Sequence, residues 1–177
     1  MILAYLERLL ADRDLHPQGD IPSSLLGVVK AGGDLNRDEA LGILFVLFMG
    51  GIETPANAIG LLLLHLARHP ESKERLRANP AEIPSAIEEL LRYYGPSQGV
   101  RRTLTEDIVL HGKTLKKGDP VWLLLNGADR DDREFDAAAE IRFDRQPNRH
   151  LGFGAGPHRC IGSHLSRLLL RIITQEV

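Results

Sequence analysis

LGFGAGPHRCIGSHLSRLLL, residues 151–170, is the stretch on which the fold turns. It carries the only cysteine of the chain, Cys160, with four glycines within eight residues of it and an apolar helical pattern just after it. A lone cysteine is usually packed as a small hydrophobe. That role does not account for the glycines, which let a backbone bend sharply and approach something flat or bulky. A phosphate loop fails on spacing. Counted from Gly152, the pattern G-x-G-x-x-G needs glycine at Pro157; counted from Gly154, it needs glycine at Arg159.

Three chemical readings of Cys160 remain. Zinc is one, because His150, His158, Cys160 and His164 fall within fifteen residues, with Cys160 and His164 at helical i, i+4 spacing. Structural zinc normally draws on more thiolates and has no need of Phe153 or the glycine run. A cysteine nucleophile is the second, but the sequence marks neither a base nor an oxyanion hole for it. The third fits more of the residues. A thiolate at the amino end of a helix is favoured by free amides and the helix dipole. A glycine loop lets it protrude toward a flat macrocycle, Phe153 can pack over it, and His158 and a distant arginine can meet carboxylates. That describes the axial ligand of a haem iron.

Phe153-Gly-Ala-Gly-Pro-His-Arg-Cys160-Ile-Gly162 closely resembles the cysteine loop of the cytochromes P450, F-G-x-G-x-H-x-C-x-G. Two further motifs stand in family order. Gly50-Gly51-Ile-Glu53-Thr54 resembles the oxygen-activating A/G-G-x-D/E-T. Glu89-Leu-Leu-Arg92 resembles the helical E-x-x-R, and Arg145, just ahead of Pro-Asn-Arg-His, matches the arginine that completes its ion network. The resemblance covers nearly the whole chain, in the style of the soluble bacterial members. Ser166 stands where the family usually has alanine, and Asp129 where asparagine is common.

Spacing alone puts Glu89 and Arg92 on one helical face, where an ordinary surface pair contributes under about 1 kcal/mol. With the cysteine loop and Arg145, the resemblance implies a buried structural network. Gly50, Gly51 and Pro55 weaken an otherwise apolar helix. Packing could use a kink there, but a kink leaves Glu53 unexplained. The resemblance implies an opening for dioxygen, with Thr54 and Glu53 as catalytic proton donors. It also assigns Cys160 as the metal ligand, and Phe153, Gly154, Gly156, His158, Gly162, Gly50 and Gly51 to the cofactor. Arg102, with Arg101 adjacent, would pair with a haem propionate. Phe48 and Met49 (with Phe45), and Ser97 to Val100, match substrate-facing stretches; core packing explains the aromatics equally well.

Composition bounds the rest. The 177 residues are 43% apolar and carry a net charge of −2. Charges of both signs are mixed, and no basic stripe alternates with aromatics, so no nucleic-acid partner is expected. One cysteine excludes an intramolecular disulfide and fits a reducing cytosol. The opening MILAYLERLLADRD lacks a basic n-region and cleavage site. Residues 41–67 are apolar over a nominally bilayer-spanning length, but Glu53 near their middle is costly at that depth. No membrane contact and a cytoplasmic location are expected.

The pattern predicts a mainly α fold with a small β region. Helices are expected over 2–12, from Ser23 or Ser24 to Lys30, from an Asn36 cap unbroken to about Arg68, and over 71–80. Further helices are expected over 85–94 and from near Cys160 onward. Short strands lie within 99–125, with turns at His111-Gly112 and Lys117-Gly118-Asp119.

The resemblance implies one domain over 1–177, the carboxyl-terminal haem-binding portion of a P450 with the amino-terminal half absent. It further implies haem b (iron protoporphyrin IX) and dioxygen as co-substrate. Electrons would come from NAD(P)H through a ferredoxin and ferredoxin reductase or an equivalent donor, and a small apolar organic substrate would be oxidised. The other reading is a non-catalytic or vestigial haem-binding fragment.

Overall fold

The computed structural model describes all residues, 1–177. The chain divides into two compact units, Met1–Glu53 and Thr54–Val177.

The first unit holds α1 (Ile2–Leu15), α2 (Ile21–Lys30) and α3 (Arg37–Gly50). Leu6, Leu10, Leu26 and Leu44 form its core. α2 starts at Ile21, ahead of the expected serines, because Asp20 caps it: its carboxylate accepts the Ser23 amide at 3.0 Å. Asn36 caps α3 through a reciprocal box, taking the Glu39 amide while Glu39 accepts the Asn36 amide.

The unbroken helix expected to Arg68 is interrupted at Gly51-Ile52, and α4 (Glu53–Arg68) begins anew. Pro55 is the reason. Its ring would clash with the carbonyl four residues back, that of Gly51, and it has no N–H to offer. In the first turn of α4 neither defect matters. Together, Arg37–Arg68 are long and apolar enough, by length and composition only, to cross a membrane. The interruption and Glu53 fall at the middle of that run.

In the second unit, α4 is followed by α5 (Pro70–Ala78), a 3-10 turn and α6 (Ile83–Tyr94). Pro84 sits in the first turn of α6, where it costs nothing. Ile83, Ala86, Ile87, Leu90 and Leu91 of α6 bury one face against Leu62, Leu66, Leu76, Phe143 and Leu170. Each fully buried large aliphatic side chain contributes about 1.5–3 kcal/mol. β1 (Val100–Thr103) pairs antiparallel with β4 (Pro120–Leu123), and β2 (Ile108–Leu110) with β3 (Lys113–Leu115). His111 and Gly112 turn the second hairpin at φ 47° and 75°, the conformation a two-residue primed turn demands. α7 (Leu125–Ala128) opens a long irregular segment that leads to the cysteine loop and α8 (Ser163–Glu176).

Candidate functional site

The apolar stripe of α6 faces the core, which turns Glu89 and Arg92 inward beside it; both are fully buried. Arg92 Nε and Nη2 donate to the two Glu89 oxygens at 2.8 Å each. Arg145 Nε shares the same carboxylate at 3.0 and 3.1 Å, and the Arg142 amide and Asn148 Nδ2 complete its shell. The remaining Arg92 donors go to backbone carbonyls of Asp129, Ala138 and Glu140. All five N–H groups of Arg92 are therefore used. Burial pushes the Glu89 carboxyl up, but the Arg92, Arg142 and Arg145 donors outweigh it and hold the group below its usual range. Two strands of irregular backbone, 129–131 and 136–145, are thus tied to one helix through its two charged residues.

The segment runs on into the cysteine loop. Asp129 is fully buried; its Oδ1 accepts the Leu151 amide at 2.6 Å, while Oδ2 has no partner. Burial pushes this carboxyl above its usual range, against the Leu151 amide. The loop closes on itself: the Gly154 amide reaches the Leu151 carbonyl at 2.7 Å, and the Cys160 amide reaches the Phe153 carbonyl at 2.8 Å. Gly154 and Gly156 take φ of 68° and 66°, which side chains rarely adopt, so the turn needs glycine at both. Cys160 is left free and exposed, three residues ahead of α8. No three His, Cys, Asp or Glu side chains gather as a metal site. His150, one of the zinc candidates, is engaged instead with Glu88 and the Gly152 amide.

A profile of the family described as Cytochrome P450 matches residues 11–177. The chain belongs to the cytochrome P450 family. It is 41% identical over 170 residues to a biotin biosynthesis cytochrome P450 of Bacillus subtilis, covering 96% of this chain and 43% of that protein. It is 38% identical over 164 residues to CYP107DY1 of Priestia megaterium, covering 93% of this chain and 40% of the relative. A solved structure of CYP109E1 from Bacillus megaterium in complex with testosterone aligns with a TM-score of 0.95 at 36% identity, covering 98% of this chain and 45% of that one. The chain thus spans less than half the length of these relatives. Its mainly helical architecture with a small β region is that of the corresponding part of the P450 fold.

P450 membership implies haem, and the residues present fit that group. The Cys160 sulfur is exposed and unpartnered, a soft donor on a loop that glycine keeps open. Around Gly156, a Cβ would meet nothing within 4 Å. Exposed His158 lies in the 3-10 turn Gly156–His158, two residues before the sulfur. On β1, alternation puts Val100 and Arg102 on one face and Arg101 on the other. Arg102 is exposed, its only side-chain bond being to the Arg101 carbonyl.

The other sequence candidates lie elsewhere along the chain. Phe48 and Met49 occupy the last turn of α3, half-buried and exposed respectively; Gly50 ends that helix and Gly51 caps it. Glu53 and Thr54 open α4, both exposed. Ser97 is half-buried in the turn before β1. Sequence reasoning missed Glu88 and Arg167, and weighed His150 only as a zinc ligand. Arg167 meets both Glu88 oxygens, at 2.7 and 2.8 Å, and His150 meets one at 2.9 Å. Burial raises the Glu88 carboxyl, but these partners hold it down to about 2.

Proposed function

We propose that the chain is the haem-thiolate portion of a P450 monooxygenase that oxidises a small apolar organic substrate. The observation that carries this reading is the exposed Cys160 sulfur at the end of a glycine-turned loop, just ahead of α8. Cys160 would ligate the iron, Phe153 would pack over the sulfur, and Gly154, Gly156 and Gly162 would leave room beside it. His158 and Arg102 are the cations offered to the carboxylates of haem b. When bound, that cofactor supplies one-electron chemistry and the splitting of dioxygen, one atom entering the substrate and the other leaving as water.

The chain's own residues hold and move protons around that chemistry. Glu53, exposed at the start of α4, takes protons from solvent, and Thr54 Oγ presents them toward the reacting centre. Gly50 and Gly51 leave space ahead of them, and Phe48, Met49, Ser97 and Val100 line the substrate side. The Glu89–Arg92–Arg145 network is structural and keeps the loop backbone fixed.

Electrons would reach the site one at a time from NAD(P)H through a ferredoxin and its reductase or an equivalent donor. The cytoplasm is the proposed location, with the apolar faces of α3 and α4 covered by protein rather than lipid. Relatives include a mycinamicin C21 methyl hydroxylase and a steroid C26-monooxygenase, and this range leaves the substrate open within small apolar molecules.

The test is haem titration of the chain, then turnover with a surrogate electron donor. A carbon monoxide complex of the reduced protein with the strongly red-shifted Soret band of a thiolate ligand supports the assignment. Stoichiometric zinc without haem uptake overturns it. Tight haem binding with no turnover under any donor would favour the non-catalytic fragment.

A further inference from the structure

Consecutive residues of a helix point about 100° apart, so the adjacent carboxylates of Glu88 and Glu89 serve different partners. Glu89 faces the arginines of the ion network. Glu88 faces α8 and the cysteine loop. Arg167, in the second turn of α8, grips it with two parallel bonds of 2.7 and 2.8 Å, the fork geometry that fixes orientation as well as distance. His150 Nε2 lies 2.9 Å from the same carboxylate. On its other side, His150 Nδ1 lies 3.1 Å from the Gly152 amide. That amide can only donate, so Nδ1 is the acceptor and the ring proton sits on Nε2, donated to Glu88. The Arg167 guanidinium also lies over the Phe153 ring, 4.4 Å from its centroid. Phe153 in turn holds the Cys160 amide through its carbonyl.

These contacts form a closed circuit: α6 to α8, α8 to Phe153, Phe153 to Cys160, and α6 through His150 to Gly152. We propose that Glu88, His150 and Arg167 are positioning residues, a second clip that anchors Gly152 and Phe153 to α6 and α8 and so fixes the aim of the Cys160 sulfur. The Glu89 network stands apart from it, holding backbone at 129–145 and at no point touching Phe153 or α8. The proposal rests on Cys160 being the iron ligand.

The experiment measures amide hydrogen exchange in the chain, residue by residue, for Glu88→Gln, Arg167→Lys, Arg167→Met, His150→Gln and His150→Asn. Losing a charge-assisted bond should raise exchange at Gly152 and Cys160 by about tenfold to a hundredfold in Glu88→Gln. Amides of α1 and α2 should not change. Arg167→Lys keeps the charge without the fork and should fall between the parent and Arg167→Met. His150→Gln keeps a donor near Nε2 and should free Gly152. His150→Asn keeps an acceptor near Nδ1 and should protect it. With haem added, the reduced carbon monoxide complex of Glu88→Gln should lose intensity at the thiolate band in favour of the shorter-wavelength band of a neutral thiol. Unchanged exchange at Gly152 and Cys160, with a parental thiolate band, would overturn the clip alone. A parent chain that takes up haem but shows no thiolate band would overturn the ligand assignment and with it the aim of the sulfur.

Discussion

Glu89→Gln is nearly isosteric, so it changes charge and hydrogen bonding while leaving volume alone. In the native chain Oε1 accepts from Arg92 Nη2, the Arg142 amide and Arg145 Nε; Oε2 accepts from Arg92 Nε, Arg145 Nε and Asn148 Nδ2. Whichever oxygen becomes an amide nitrogen turns its donors into clashing neighbours, and only Arg145 can fall back on the remaining oxygen. Two arginines are then left buried, at 0% and 6% side-chain exposure, with no counter-charge. Removing one partner of a buried pair costs about 3–5 kcal/mol. A domain's whole stability is about 5–15 kcal/mol. Urea unfolding followed by far-ultraviolet circular dichroism is the assay. At a slope of about 2 kcal/mol per M, the midpoint should fall by roughly 2 M with the slope unchanged. A loss under about 1 kcal/mol would make the network no stronger than a surface ion pair and refute its role in holding the loop.

Cys160→Ser should abolish the red-shifted Soret band of the reduced carbon monoxide complex; retention of that band would place the ligand elsewhere. Thr54→Ala should uncouple turnover in a reconstituted system, with reduced cofactor consumed and peroxide released in place of product, which peroxide and product assays measure together. Asp129→Asn should stabilise the chain at neutral pH. Burial raises the Asp129 carboxyl, so its contribution is complete below the ordinary carboxylate range and is lost as pH rises through the folded-state value. The asparagine variant should accordingly outlast the parent in thermal melts at pH 7 and lose its advantage near pH 3. Glu88 runs the other way: its contribution is present above the ordinary carboxylate value and is lost as pH falls toward about 2. Melting temperatures of the parent and Glu88→Gln should therefore converge between about pH 4.5 and 2, the ordinary glutamate value setting the upper edge.

What could be read from the sequence was what is decided locally. The Asn36–Glu39 box spans three residues, and both halves are visible in the letters. The Glu89–Arg92 pairing is fixed by one helical turn, but its third member, fifty-six residues away, came only from resemblance. The backbone acceptors that saturate Arg92 have no signature, because any residue supplies a carbonyl. Pro55 was read as one lost hydrogen bond when its ring also excludes the Gly51 carbonyl, so the break in the apolar run was missed. Strand β3 was overlooked because Lys113-Thr114-Leu115 has little strand character of its own and is held by β2. The Glu88 cluster joins residues 62 and 79 apart, and nothing near Glu88 marks it as different from a solvated charge.

The neighbouring carboxylates on α6 also set how the chain tolerates changes in length. A one-residue insertion between Pro84 and Glu88 would rotate the helix by about 100° and hand each carboxylate to the other's partners. Glu88 and Glu89 receive different numbers of donors, so neither exchange could be satisfied, and no side-chain change would repair it. The β2–β3 hairpin is the opposite case. Its tip is exposed, with Val109 at 72%, and is bound to the rest by little beyond its own ladder. Added residues between His111 and Gly112 should leave both clips untouched. Peptide tags, fluorophore sites or whole inserted domains belong there, and helix α6 should be kept at its native length in any chimaera.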